Sequence, residues 1–364
     1  MSNSLRGYVS AVLAALAMIV PHSSVAEHDL TNGLIKEDFA SLRYSFPVAE
    51  DWSFEKLSRA LLYAQEIGST AVIVLHDGKL VLEWGKTTLK IKSHSVRKSL
   101  LSALYGISVE KGLIDLNSTI ADLGIDDRPP VLSEEEKQAT ILDLLKARSG
   151  IYHEAAAESE NMRRGRPSRG AFAPGEHWYY NNWDSNALGT IFERKTNLTI
   201  GQAFKDWIAD PIGMQDFRVD DVHYWWEPVS LHPSYPFWIT ARDLARFGQL
   251  YLQMGTWQDQ QVIPKSWIED SIIPYSPTFN ESGYGYLWWI HPSGAYYAEG
   301  YMGQFVVIIP EFKIVIVNRV FSGTPSMGSL PAEVKAELKQ LIKPVNGHEM
   351  KRLVDLIMAA QPTF

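Results

Sequence analysis

The sequence predicts an α+β fold: one antiparallel sheet flanked by helices, with a mainly helical segment inserted between its strands. Three observations carry this reading. Two strand-rich groups lie far apart in the chain, at 71–84 and 285–319. The stretch between them reads as a succession of helical patterns. The strand–helix–strand alternation that builds parallel sheets is missing. A sheet assembled from both ends of the chain leaves the middle, roughly 112–280, as the helical insertion.

The elements follow in order. Residues 54–67 carry a helical pattern, entered through Asp51 or Ser53 as N-cap. Residues 71–76 and 79–84 are β-rich runs separated by Asp77-Gly78, a two-residue turn suited to positive φ at both positions. Helical patterns then occupy 96–111, 141–147, 185–194, 200–209 and 240–254. Strand patterns return at 285–291, 296–299, 304–309 and 313–319, the last two apolar, β-branched and joined by Pro310-Glu311-Phe312. From Pro331 two more amphipathic helices are expected.

Residues 1–26 read as a secretory signal outside the fold. Arg6 supplies a positive start, 8–20 is apolar, Pro21 breaks the run, and Ser24-Val25-Ala26 offers a cleavage site before Glu27. A run of about a dozen apolar residues is too short to cross roughly 30 Å of hydrocarbon. The expected mature chain, 27–364, is then a single periplasmic or secreted bacterial domain with no stable membrane anchor. With 34 Lys and Arg against 42 Asp and Glu, the net charge of −8 gives no electrostatic footprint for nucleic acid. Having no cysteine, the chain cannot hold a disulfide, a thiolate zinc site, an iron–sulfur cluster or a cysteine nucleophile. Its ten histidines show no metal-site spacing, so neither a metal nor a cofactor is expected.

Nucleophilic catalysis without cysteine needs Ser, Thr, Lys or a carboxylate beside a base. The Gly-x-Ser-x-Gly elbow is absent, but Ser-x-x-Lys occurs three times, beginning at Ser53, Ser95 and Ser108. Ser53 suits a helix cap, and Ser108 lies near a helix end that closes at Gly112. Ser95 alone starts a strongly apolar helix, where free N–H groups can stabilise an oxyanion and Lys98 falls one turn away on the same face. Arg97 is expected off that face, and adjacent side chains diverge, so His94 is not expected to pair with Ser95.

Further segments match in order. Pro174-Gly175 is followed by Tyr180 and Asn182 within a Tyr-Tyr-Asn-Asn run, then by Leu188-Gly189. Residues 140–151 contain Leu144-Leu145 and Ser149-Gly150, and 211–214, 241–248 and 300–304 continue the series. Across roughly 50–345 the chain resembles the serine β-lactamase and penicillin-binding superfamily. It is most similar to class C β-lactamase-like hydrolases, including family VIII esterases and 6-aminohexanoate-dimer hydrolases.

The resemblance implies a β-lactamase/transpeptidase-like fold and a serine hydrolase acting on a small-molecule ester or amide. By it, Ser95 is the acylated nucleophile, Lys98 and Tyr180 share the proton traffic, and Asn182 hydrogen-bonds Lys98 or a substrate amide. A one-residue slip would substitute Tyr179 for Tyr180. Which of Lys98 and Tyr180 is the base stays open. The family's third motif, a Lys-Thr-Gly or His-containing strand that holds a substrate carboxylate, falls on Ala298-Glu299-Gly300. Gly300 keeps the backbone approach, and Tyr301 offers an oxyanion N–H paired with that of Ser95. Ala298 has no charge and Glu299 the opposite one, which favours esters or linear amides over β-lactam or D-alanyl-D-alanine substrates. A non-catalytic penicillin-binding-like module is the alternative to an enzyme. The aromatic clusters 224–226, 237–238 and 288–289 are candidates for a pocket wall.

Overall fold

The computed structural model describes residues 52–278, 282–323 and 342–362, together with the strand pair Arg43–Tyr44. The proposed signal, 1–26, and the first of the two helices expected after Pro331 lie outside the described residues.

One nine-stranded sheet dominates. Its strands are β1 (Arg43–Tyr44), β2 (Ala71–His76), β3 (Lys79–Gly85), β4 (Ser276–Pro277), β5 (Gly283–Tyr284), β6 (Trp289–Ile290), β7 (Tyr296–Gly300), β8 (Gln304–Ile309) and β9 (Ile314–Arg319). Their spatial order is β1-β3-β2-β9-β8-β7-β6-β5-β4, antiparallel throughout except for the parallel β1–β3 pair. The N-terminal hairpin thus meets the C-terminal strands at β2–β9, which joins the two ends of the chain. Asp77 and Gly78 both take positive φ, +47° and +76°, as the two-residue turn requires.

Helices cover both faces of the sheet. On one face α1 (Phe54–Glu66) and α5 (Gly347–Met358) bury Leu57, Ala60, Leu353 and Ile357 against Val72, Val74 and Ile316. On the other, α2 (Val96–Glu110) and α4 (Ala241–Leu252) pack Leu100, Leu104, Leu244 and Phe247 with Ile73, Leu75, Val306 and Val315. Period-two alternation along β2 therefore serves two apolar layers, and every residue of β9 is buried. Helix α3 (Trp183–Thr196), between α2 and α4 in sequence, belongs to the expected helical stretch. Among the described residues no helix is long and apolar enough to cross a membrane.

Two expected elements are interrupted. The 285–291 run is not one strand, because β5 and β6 flank a loop in which Leu287 has φ +64°. There the N–H groups of Tyr286 and Leu287 donate to the carbonyls of Ser271 and Leu145, drawing the chain off the ladder. The 200–209 helix is α-helical only over Ile200–Phe204, then widens to a π turn over Lys205–Ala209.

The sheet also opens an edge. β6 pairs with β7 only at Tyr296 and Tyr297, so Ala298–Gly300 is paired on the β8 side alone.

Candidate active site

The approach to Ser95 is held by a short ribbon, Ile91–Lys92 against Trp238–Ile239. The buried Arg319 of β9 donates to the carbonyls of Ile239 and Ile91 at 2.8 and 2.7 Å, anchoring the ribbon to the sheet. His94 then takes φ +47° and turns the chain into α2, leaving Ser95 as N-cap with no side-chain cap bond. A serine in that position is not occupied by capping and has its hydroxyl available.

Lys98 lies one turn on, 2% exposed, with Nζ 3.2 Å from Ser95 Oγ. Its Nζ also donates to Asn182 Oδ1 at 2.6 Å, and Asn182 Nδ2 in turn donates to the Ala157 carbonyl at 2.7 Å. Asn182 is the N-cap of α3, so the helical segment and α2 meet at this lysine. The Tyr180 ring lies 4.8 Å from Lys98 Nζ and packs against Trp289 and Tyr284 at 5.1 and 5.9 Å between centroids. Tyr179 instead donates its hydroxyl to the Met162 carbonyl at 2.6 Å, so Tyr180 is the tyrosine at Ser95.

Burial, then the Arg97 guanidinium, holds the Lys98 amine well below the ordinary lysine range, while Asp184 pulls the other way. Burial pushes the Tyr180 phenol up to about 12, against a hydrogen bond with Ser95 and the pull of Arg97. Burial thus disfavours both the ammonium form of Lys98 and the phenolate form of Tyr180 beside one serine hydroxyl. Asp184, under the site, accepts from Ser149 Oγ at 2.6 Å and Asn181 Nδ2 at 3.1 Å, and burial pushes its carboxyl up to about 7. Arg97 points off the Ser95–Lys98 face, as expected, donating to Asn186 Oδ1 at 2.7 Å and lying 4.3 Å from the Tyr235 ring centroid.

The end of β7 closes on this group. A Cβ at Gly300 would stand 2.4 Å from the Ser93 carbonyl oxygen and 3.2 Å from Ser95 N, so this approach requires glycine. The backbone N–H groups of Ser95 and Tyr301 donate to no carbonyl among the described residues, and the Tyr301 side chain is exposed. His94 turns away from Ser95: its Nε2 lies 2.9 Å from Ser322 Oγ, and its ring meets Tyr301 edge-on at 5.6 Å.

The alternative Ser-x-x-Lys serines have other roles. Ser53 caps α1, and Ser108 donates to the Leu104 carbonyl at 2.8 Å from a buried position.

A cavity of about 810 Å³ lies over Ser95, walled by Lys92, Tyr180, Asn182, Trp289, Glu299 and Tyr301 among others. Residues 157–162 form part of the same wall, a contribution that no sequence pattern announced. Of the aromatic clusters, Trp289 lines the cavity, Phe237 and Trp288 belong to the core, and Trp225 and Trp226 are exposed. The third-motif segment needs a correction: Ala298 is turned into the core at 1% exposure, and Glu299 is the residue that lines the cavity. Among the described residues no group of three or more His, Asp or Glu is placed to hold a metal ion.

Known proteins resemble this chain in sequence and fold. The beta-lactamase family model matches residues 54–336. A 6-aminohexanoate-dimer hydrolase of Paenarthrobacter ureafaciens is 23% identical over 292 residues, covering 70% of this chain and 73% of that one. A family VIII carboxylesterase superposes with a TM-score of 0.60 at 14% identity, covering 84% of this chain and 97% of that one. An octameric penicillin-binding protein homologue from Pyrococcus abyssi does so at 0.54 and 20% identity, covering 79% and 76%. With the model spanning most of the fold, from α1 past β9, the chain belongs to the β-lactamase family.

Proposed function

We propose that the protein is a serine hydrolase that cleaves an ester or amide bond through an acyl-enzyme on Ser95, with Lys98 and Tyr180 moving the proton. One observation carries the reading most: a buried lysine, depressed in pKa, 3.2 Å from a helix-capping serine hydroxyl that makes no cap bond. A serine hydroxyl is a weak nucleophile until a neighbouring base takes its proton. Lys98, whose burial disfavours the ammonium form, accepts that proton as Oγ attacks the substrate carbonyl. The N–H groups of Ser95 and Tyr301 receive the developing oxyanion, and Gly300 lets the end of β7 approach Ser95. Collapse expels the alcohol or amine, which takes a proton from Lys98 through the Tyr180 phenol. Water then repeats the attack on the acyl-enzyme, passing its proton back the same way and releasing the acid and Ser95.

The structure favours Lys98 over Tyr180 as the group that deprotonates Ser95, since burial moves the lysine toward neutral pH and the tyrosine away from it. A scaffolding module would have no use for a desolvated amine at this point, which supports an enzyme over a non-catalytic relative. The names of similar proteins, a carboxylesterase and a 6-aminohexanoate-dimer hydrolase, support ester and linear-amide chemistry.

Glu299 in the cavity wall argues against substrates that present a carboxylate there, as penicillins and peptides with a free C-terminus do. Short-chain p-nitrophenyl esters should therefore be hydrolysed, with kcat/KM well above that for a chromogenic cephalosporin. A protein that turns over the cephalosporin and leaves the esters intact would be a β-lactamase, and the ester–amide assignment would fall. Because Ala298 faces the core, substituting it would disturb packing rather than test substrate charge.

A further inference from the structure

His94 lines the cavity next to Ser95, and the hydrolytic steps above give it no task. Its backbone takes φ +47°, a left-handed conformation that persists only where the surroundings hold it. The imidazole bridges two separate segments. Nε2 lies 2.9 Å from Ser322 Oγ, beyond the end of β9, and the ring meets the Tyr301 ring edge-on, with centroids 5.6 Å apart and planes at 69°. Burial, aided by the charges of Lys92 and Arg319, pushes the imidazole down to about 3, so the ring is uncharged at neutral pH. It acts there as a hydrogen-bonded aromatic plate.

Both partners matter for where they sit. Tyr301 supplies one of the two N–H groups assigned to the oxyanion, from the turn that joins β7 to β8. The rest of that turn is tied to the fold by hydrogen bonds. Gly300 pairs with Gln304, the Met302 carbonyl accepts from Val345 N at 3.3 Å, and the Gly303 carbonyl accepts from Asn318 Nδ2 at 2.9 Å. For Tyr301, the contact among the described residues is the His94 ring: its N–H meets no carbonyl, and its side chain is 62% exposed. Ser322 is held through its neighbours. Phe321 N donates to Thr70 Oγ1 at 2.8 Å, and the Val320 carbonyl accepts from Gln304 Nε2 at 2.7 Å. A fixed post thus stands on one side of the imidazole, and Tyr301 rests on the other.

We propose that His94 is a positioning residue for the oxyanion site: bonded to Ser322, it holds the Tyr301 turn over the start of α2 and fixes the Tyr301 N–H relative to that of Ser95. The inference rests on the hydrolase reading for the oxyanion it serves. A donor contributes most when it is aimed before charge develops. Loosening it therefore lowers kcat and leaves ground-state binding, read as KM, nearly unchanged.

Hydrolysis of p-nitrophenyl butyrate and inhibition by phenylboronic acid test this together, since the boronate adds to a serine hydroxyl as a tetrahedral adduct with an oxygen at the oxyanion position. His94→Asn accepts the left-handed φ but is too short to reach both partners. It should lower kcat by about tenfold or more, keep KM within about twofold, and weaken boronate inhibition in step with kcat. Tyr301→Ala keeps the N–H, loses the ring and should match it. The double variant should cost little more than the worse single one, because the two rings act as a unit. Ser322→Ala, outside the cavity wall, should lower kcat and boronate inhibition together and reads the same tie if His94→Asn folds poorly. Ser322→Thr, which restores the hydroxyl, should return both to wild type. Wild-type kcat and boronate inhibition in His94→Asn or Ser322→Ala, or a loss carried by KM instead, overturns the inference while Ser95-dependent turnover leaves the hydrolase reading intact. Turnover and boronate binding that survive in Ser95→Ala overturn the hydrolase reading itself, and this inference with it.

Discussion

Ser95→Ala is expected to lower ester hydrolysis by about 10⁴-fold or more, the scale on which loss of an activated nucleophile is felt. The melting temperature should move by no more than about 2 °C, because the hydroxyl makes no cap bond and meets only catalytic-group side chains, the Lys98 amine and the Tyr180 phenol. That combination separates chemistry from folding. A large loss of stability would mean the hydroxyl holds the start of α2 in place. Activity that survives, or that depends on Ser108 instead, would contradict the assignment, and the bond from Ser108 to the Leu104 carbonyl gives no reason to expect it.

The second large effect concerns the base. Lys98→Met and Tyr180→Phe should each lower kcat/KM by about 10² to 10⁴. If the two move one proton along one path, the double variant should cost little more than the worse single one. A product of the two losses would place them in separate steps. Lys98→Met carries a second readout in stability. The folded-state pKa of Lys98 lies below its unfolded value, so between the two values the unfolded chain binds the extra proton. The burden on folding is therefore present at neutral pH and fades only as pH rises toward the unfolded lysine pKa. Removing the amine should leave the melting temperature at pH 7 unchanged or higher while activity collapses. The acid limb of the kcat/KM profile assigned to Lys98 should disappear with it. Asp184, raised to about 7, acts on Lys98 by charge, so the comparison is made variant against wild type.

Much of this was legible in the sequence, and the physical reasons differ from part to part. The hairpin was readable because Asp77-Gly78 meets the demand of a two-residue turn for positive φ. The candidate nucleophile was readable because only one of three Ser-x-x-Lys segments opens an apolar helix, and the structure gives the other two serines local hydrogen-bonding roles. Tyr180 and Asn182 came from the family resemblance, and the bond from the Tyr179 hydroxyl to Met162 commits that neighbour elsewhere.

What stayed hidden depends on contacts that local pattern does not encode. The Ser149–Asp184 bond joins residues 35 apart through side chains alone. The break within 285–291 depends on carbonyls supplied by Ser271 and Leu145, from elements the strand pattern does not mention. For Ala298 and Glu299, alternation requires that the two face opposite ways, but only the packing of the helical layer decides which one enters the core.

The central claim is that Ser95 becomes covalently acylated, and a fluorophosphonate probe tests it most directly. Incubation with the probe, proteolysis and mass mapping should locate one adduct on the peptide containing Ser95, with Lys98→Met slowing its formation and Ser95→Ala abolishing it. An adduct on another residue, or labelling that persists in Ser95→Ala, would contradict the account.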